Sequence, residues 1–146
     1  MSHVCKVDFE FKDLESLKRA ALDVGCEFVE DKTFNWFKTH VGDYPLPEGF
    51  TREDMGKCDV GVIRVKNASA QTYEVGVCSR RDGKKGYTLL FDFWQGGYGL
   101  EKAIGSKADK LKQAYAVRVN TKTLQREGFR VKRTVDAQGR VHLRAN

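Results

Sequence analysis

Arg118, Lys122 and Arg126 recur at every fourth position of a stretch with helical periodicity, so their side chains form one cationic ridge. Lys107, Lys110 and Lys112 precede them, and Arg130, Lys132 and Arg133 carry the charge past Gly128. Cations in such an array neutralise phosphates or carboxylates and release counterions, which makes binding salt-sensitive. Arg80, Arg81, Lys84 and Lys85 form a second basic set around the Asp82-Gly83 turn signal. From Gly105 to Asn146 the chain carries eleven Lys or Arg against three acidic residues, whereas residues 1–73 come out at −3. A gradient of this size draws an anionic macromolecule, nucleic acid or acidic protein, to one end of the molecule; a merely solvated face is the alternative. Trp94, Tyr98 and Tyr115 are the aromatics available to stack on bases.

A second chemistry is suggested by Trp94-Gln95-Gly96-Gly97-Tyr98-Gly99, which lies between a strand and a helical stretch. Backbone amides exposed at such a bend cradle phosphate. Gly96, Gly97, Gly99 and Lys102 are therefore the candidate phosphate loop of a small phosphate- or nucleotide-binding module, enzymatic or not. The bend is not a P-loop, because Gly99 and Gly105 stand one residue too far apart and Ser106-Lys107 reverses the Gly-Lys-Ser/Thr order. Glycines that turn the chain at positive φ are the plainer reading.

Neither a nucleophile elbow, nor an H-E-x-x-H pair, nor a deaminase signature occurs, and His3, His40 and His142 are scattered. No catalytic residue is assigned. Cys5, Cys26, Cys58 and Cys78 are separated by 21, 32 and 20 residues without a C-x-x-C pair. Four reduced thiols are expected, with no metal site and no cofactor; Cys5 and Cys78 sit in strand-like segments as small hydrophobes.

These residues need elements to hold them. His3 to Phe11 alternates, with Val7, Phe9 and Phe11 on one face, and predicts a half-buried strand. Asp13 is placed to cap a helix carrying Leu14, Leu17, Ala21 and Val24 and stopped by Gly25. Short strands are expected at Cys26–Val29 and Thr33–Lys38, then a long loop at 39–58 holding both prolines of the chain, read as an insertion. Val60–Val65, Tyr73–Cys78 and Tyr87–Trp94 read as an antiparallel meander with one face against the helices. A long helix from about Ser106 to Glu127 follows, with Ser106 and Asp109 as its capping box and Gly128 as its stop. Gln113 and Asn120 share a face with Val117 and Leu124 and are expected to need buried partners. Phe129–Arg133 and Arg140–Arg144 flank Asp136-Ala137-Gln138-Gly139 as a terminal hairpin.

The fold class expected is α+β: one domain over 1–146, a mainly antiparallel sheet packed by two principal helices, and a basic helix-plus-hairpin unit at 105–146. With 40% hydrophobic residues the chain has a core to bury, and no segment approaches the ~20 apolar residues that cross a bilayer. The N-terminus has no export-type hydrophobic region, so the expected setting is cytoplasmic, without a membrane partner.

Met1-Ser2-His3, the Asp13-Leu14-x-x-Leu17-Lys18 helix ending at Gly25, and Asp92-x-Trp94 followed by glycines stand in order along the chain. The tail adds Leu111-x-Gln113-x-Tyr115-Ala116, Gly128-Phe129-x-Val131 and Gly139-Arg140-Val141-x-Leu143. Together these segments resemble a hypothetical chloroplast reading-frame family of cyanobacteria and plastid genomes, with relatives in other bacteria and bacteriophages. The resemblance implies the same fold in a cytosolic or stromal setting, and it transfers no chemistry. The function expected from the residues is a non-enzymatic binding protein that meets an anionic partner through its basic C-terminal helix and hairpin. The alternatives are the phosphate module above and a protein–protein adaptor acting through the 39–58 loop.

Overall fold

The structure, a computed structural model, describes residues 4–36 and 46–146. It is an α+β fold. Strands β1 (Val4–Phe11), β2 (Cys26–Val29), β3 (Gly61–Val65), β4 (Val75–Ser79) and β5 (Tyr87–Asp92) make one sheet in the order β1-β5-β4-β3-β2. Every neighbouring pair is antiparallel. Strands β2 to β5 form the meander, and β1 closes the sheet on its far side against β5.

Helices α1 (Leu14–Asp23) and α3 (Asp109–Arg126) cover one face, with the short α2 (Leu100–Ile104) between β5 and α3. Their apolar sides meet Phe11, Ile63, Val75, Val77, Leu89 and Phe91. The other face is also covered. Val62, Cys78 and Leu90 point into a second cluster with Phe34, Trp36, Phe50, Met55 and Cys58. Burial on both faces explains why β3 and β5 read as nearly continuous apolar runs rather than as alternation. The described part of the proline loop, 46–58, is thus a packed cover containing a one-turn helix at Arg52–Asp54, not a loose excursion. At Gly76 in β4 a Cβ would overlap the Phe34 ring, so the absence of a side chain lets this cover lie flat on the sheet.

Several expectations are corrected in detail. Thr33 forms only an isolated bridge to Lys57, and residues 34–36 are irregular, with Phe34 and Trp36 packed into the second cluster and Asn35 bonded to Glu74, Ala70 and Thr72; Phe37 and Lys38 lie outside the described residues, as do 39–45. Strand β5 ends at Asp92, so Trp94 belongs to the following turn. Pairing shifts between Val7 and Phe11 of β1, which leaves Phe9 at the rim, 37% exposed, against Phe11 and Tyr115. Helix α3 starts at Asp109, since Lys107 and Ala108 take φ of 52° and 60°, and no Ser106 capping box forms. Its buried residues are Leu111, Ala114 and Tyr115; Gln113 and Asn120 face outward and need no buried partner.

The terminal hairpin is present as β6 (Val131–Val135) and β7 (Val141–Ala145), a separate two-stranded sheet. Gly128 stops α3 at φ 90°, and the Phe129 amide donates back to the Leu124 carbonyl at 3.1 Å. Asp136 organises the turn, accepting from the amides of Gln138 and Arg140 at 3.0 and 2.8 Å.

Candidate nucleic-acid interface

The cations singled out by spacing divide into those that hold the fold together and those that face outward. Arg118 donates through Nε and Nη2 to the two carboxylate oxygens of Asp23 at 2.7 and 2.6 Å. Lys122 Nζ lies 2.7 Å from Asp13 Oδ2. The two carboxylates stand at opposite ends of α1, so two-thirds of the ridge clamps α3 along that helix. The partner charges show in the titration: Asp23 raises Arg118 above its ordinary value, and the Lys122 hydrogen bond leads the lowering of Asp13. Arg126, one turn further, is exposed and makes no ion pair among the described residues.

The 80–85 turn is also partly occupied. Arg80 pairs with Asp82, whose carboxyl is lowered to about 2 chiefly by that hydrogen bond. Arg81 reaches Asp54 at 2.8 Å and lies over the Phe50 ring at 4.4 Å, tying the turn to the packed 46–58 segment. Lys84 and Lys85 are exposed.

The hairpin differs. Its register sets Lys132 directly opposite Arg144 and Thr134 opposite His142, while Val131, Arg133 and Val135 share the other face with Ala145, Leu143 and Val141. Arg130 and Asn146 exchange backbone hydrogen bonds just beyond, which extends the Lys132–Arg144 face by one pair-step. Arg130, Lys132, Arg133 and Arg144 are all exposed, and among the described residues none has a carboxylate within ion-pair distance. Arg140 is the exception, held to Asp136 at 3.1 Å with His142 Nε2 2.9 Å from the same oxygen. Like charges set directly opposite across a strand pair repel, so Lys132 and Arg144 weaken the hairpin they sit on. That juxtaposition was hidden in the sequence, because it follows from the pairing register.

The Gly-rich bend is a packed joint. Gln95, Gly96, Gly97 and Tyr98 all take left-handed backbone angles, with φ between 53° and 65°. Three of their backbone groups bond within the protein: the Gly96 amide donates to the Phe93 carbonyl, the Gly97 carbonyl accepts from the Tyr73 amide, and Thr72 Oγ1 donates to the Tyr98 carbonyl. Gly97 is buried, and Lys102 points outward, its carbonyl accepting from Lys110 Nζ at 3.2 Å. Of the candidate phosphate loop, Gly97 is buried and Gly96 half-buried, while Gly99 and Lys102 are exposed.

Tyr115 is not a stacking platform. It is 5% exposed, and its hydroxyl accepts from the amides of Lys12 and Asp13 at 2.8 and 2.9 Å. Trp94 is half-buried; Tyr98 remains 44% exposed with its edge against Tyr73. Cys26, Cys58 and Cys78 are buried and Cys5 half-buried, all as free thiols, with burial pushing Cys5 and Cys78 up to about 12. Among the described residues no helix is long and apolar enough to cross a membrane. No protein-family model, curated protein or solved structure matches the chain.

Proposed function

We propose that the chain is a non-enzymatic nucleic-acid-binding protein whose terminal hairpin enters a groove of the duplex. The observation that carries this reading is the Lys132–Arg144 pair: two exposed, directly opposed cations with Arg130 beside them and, among the described residues, no carboxylate within ion-pair distance of the three. Repulsion of that kind is relieved when phosphates lie along the strands. A two-stranded ribbon is narrow enough for the major groove, about 12 Å wide, and ribbons are an established way of reading it. Arg126 extends the cationic surface onto the end of α3, and Arg118 and Lys122 brace that helix from behind.

Fluorescence anisotropy with a labelled DNA duplex, competed by unlabelled duplex or by polyglutamate, tests the reading. Duplex is expected to displace the probe at far lower concentration than polyglutamate of equal charge. Equal competition would instead favour an acidic protein as the partner.

A further inference from the structure

None of the strand residues of the hairpin is buried, Val135 is 59% exposed, and neither strand pairs with the five-stranded sheet. The hairpin rests on α3, and only Val131, Val141 and Leu143 of its strands are half-buried. A two-stranded ribbon with so little cover is marginally stable in water. Its two ends are fastened. Arg130 and Asn146 exchange backbone hydrogen bonds at 3.0 and 2.9 Å, and at the turn Asp136 accepts from the Gln138 and Arg140 amides, from Arg140 Nε and from His142 Nε2. Between those ends Lys132 faces Arg144. Asp136, the one acidic side chain between Gly128 and Asn146, is engaged by Arg140 and His142 and lies within ion-pair distance of neither cation. Directly opposed like charges destabilise a strand pair, so the ribbon is weakest at its middle rung.

We propose that the hairpin is an ordering switch: in the free chain it opens readily at the Lys132–Arg144 rung, and the phosphates of a bound duplex close it. This rests on the duplex-binding reading above and adds that the two cations which supply affinity also lower the order of the empty site. Apparent affinity is then set by the closed fraction as well as by the contacts. Reversing one charge acts on order and affinity in opposite directions. Lys132→Glu sets a carboxylate against Arg144 and closes the free ribbon, while it takes a phosphate contact away. Reversing both restores the repulsion, now between two carboxylates.

The test follows amide exchange at Thr134 and His142 in the full chain, with the amides of β4 and β5 as internal references. Bonded pairs alternate along the ribbon from Arg130–Asn146 to Asp136–Arg140, which places both amides in the ladder. In the parent they are expected to be at least roughly a hundredfold less protected than the references. Their exchange slows as salt rises from about 0.05 to about 0.5 M, because screening relieves the repulsion, whereas duplex binding weakens over the same interval. Saturating duplex slows it further. Lys132→Glu and Arg144→Glu each slow exchange roughly threefold or more and each weaken duplex binding roughly tenfold or more. The double reversal returns exchange to near the parent rate and weakens binding again. Arg133→Glu, on the other face opposite Leu143, leaves exchange unchanged. Protection equal to that of β4 and β5, no slowing in either single reversal, slowing that persists in the double reversal, or equal slowing in Arg133→Glu would each overturn the switch while leaving duplex binding standing. The expected exchange pattern in a chain that binds no duplex would instead overturn the nucleic-acid reading and, with it, the closing ligand.

Discussion

Arg118 holds both carboxylate oxygens of Asp23, at 2.7 Å through Nε and 2.6 Å through Nη2, and so joins the last residue of α1 to the middle of α3. The Asp23 side chain is 12% exposed and that of Arg118 34%, so the pair is sheltered enough to matter. Arg118→Ala is expected to lower stability by about 1–3 kcal/mol, read as a shift of the denaturant midpoint. Arg118→Lys recovers only part of it, because a single ammonium cannot reproduce the two-pronged contact. Full recovery by lysine would show that net charge, not the fork, is what α3 needs here.

Tyr115→Phe isolates a second tie between the same helices. Its hydroxyl is the acceptor for two successive amides at the start of α1, and removing it leaves both without that partner. The expected cost is about 1–3 kcal/mol in chemical denaturation. A loss below a few tenths would mean that water replaces the hydroxyl.

Asp13 makes stability depend on acid pH in a defined direction. Its carboxyl is lowered from 3.8, first by the Lys122 hydrogen bond, so its contribution is complete above the ordinary carboxylate range and is lost as pH falls through the lowered value. Asp13→Asn keeps a helix-capping side chain but loses the ion pair, at a cost of about 0.2–1 kcal/mol near neutral pH for so exposed a pair. Melting curves collected at falling pH are expected to converge for the two proteins as the pH passes through the lowered Asp13 value. A constant gap throughout would assign the effect to packing.

Gly76→Ala tests the cover on the second face of the sheet. Its Cβ would overlap the Phe34 ring, and relief requires moving Phe34 out of the cluster with Trp36, Phe50 and Leu90. A loss of about 1–3 kcal/mol is expected, recovered in part by Phe34→Leu in the same chain. An unchanged midpoint for Gly76→Ala would show that the cover is not packed as described.

Local signals carried most of the element order. Asp13 and Gly25 bracket α1, Gly128 ends α3, and Asp136 with Gly139 turns the hairpin, each through its own backbone chemistry. What spacing could not reveal were relationships between distant segments. The Arg118–Lys122–Arg126 ridge was visible, but its acidic partners lie some hundred residues away on α1. Helix α3 was drawn too long because Lys107 and Ala108 have ordinary helical side chains and their left-handed backbone leaves no mark in composition. Thr33–Lys38 looked like a strand because aromatic residues favour sheets, whereas its aromatic side chains Phe34 and Trp36 serve as a cover over one. The opposition of Lys132 and Arg144 required the hairpin register.

The salt dependence of duplex binding tests the central claim most directly. With Arg126, Arg130, Lys132 and Arg144 meeting phosphates, the plot of log K against log salt is expected to fall with a slope of about −3 to −4. The double variant Lys132→Glu, Arg144→Glu is expected to weaken binding at least roughly a hundredfold and to flatten that slope by about 2, while Arg118→Gln, whose parent residue is engaged with Asp23, leaves the slope unchanged. A slope near zero in the parent protein, or one that survives the double reversal, would contradict the assignment of the hairpin as the nucleic-acid surface.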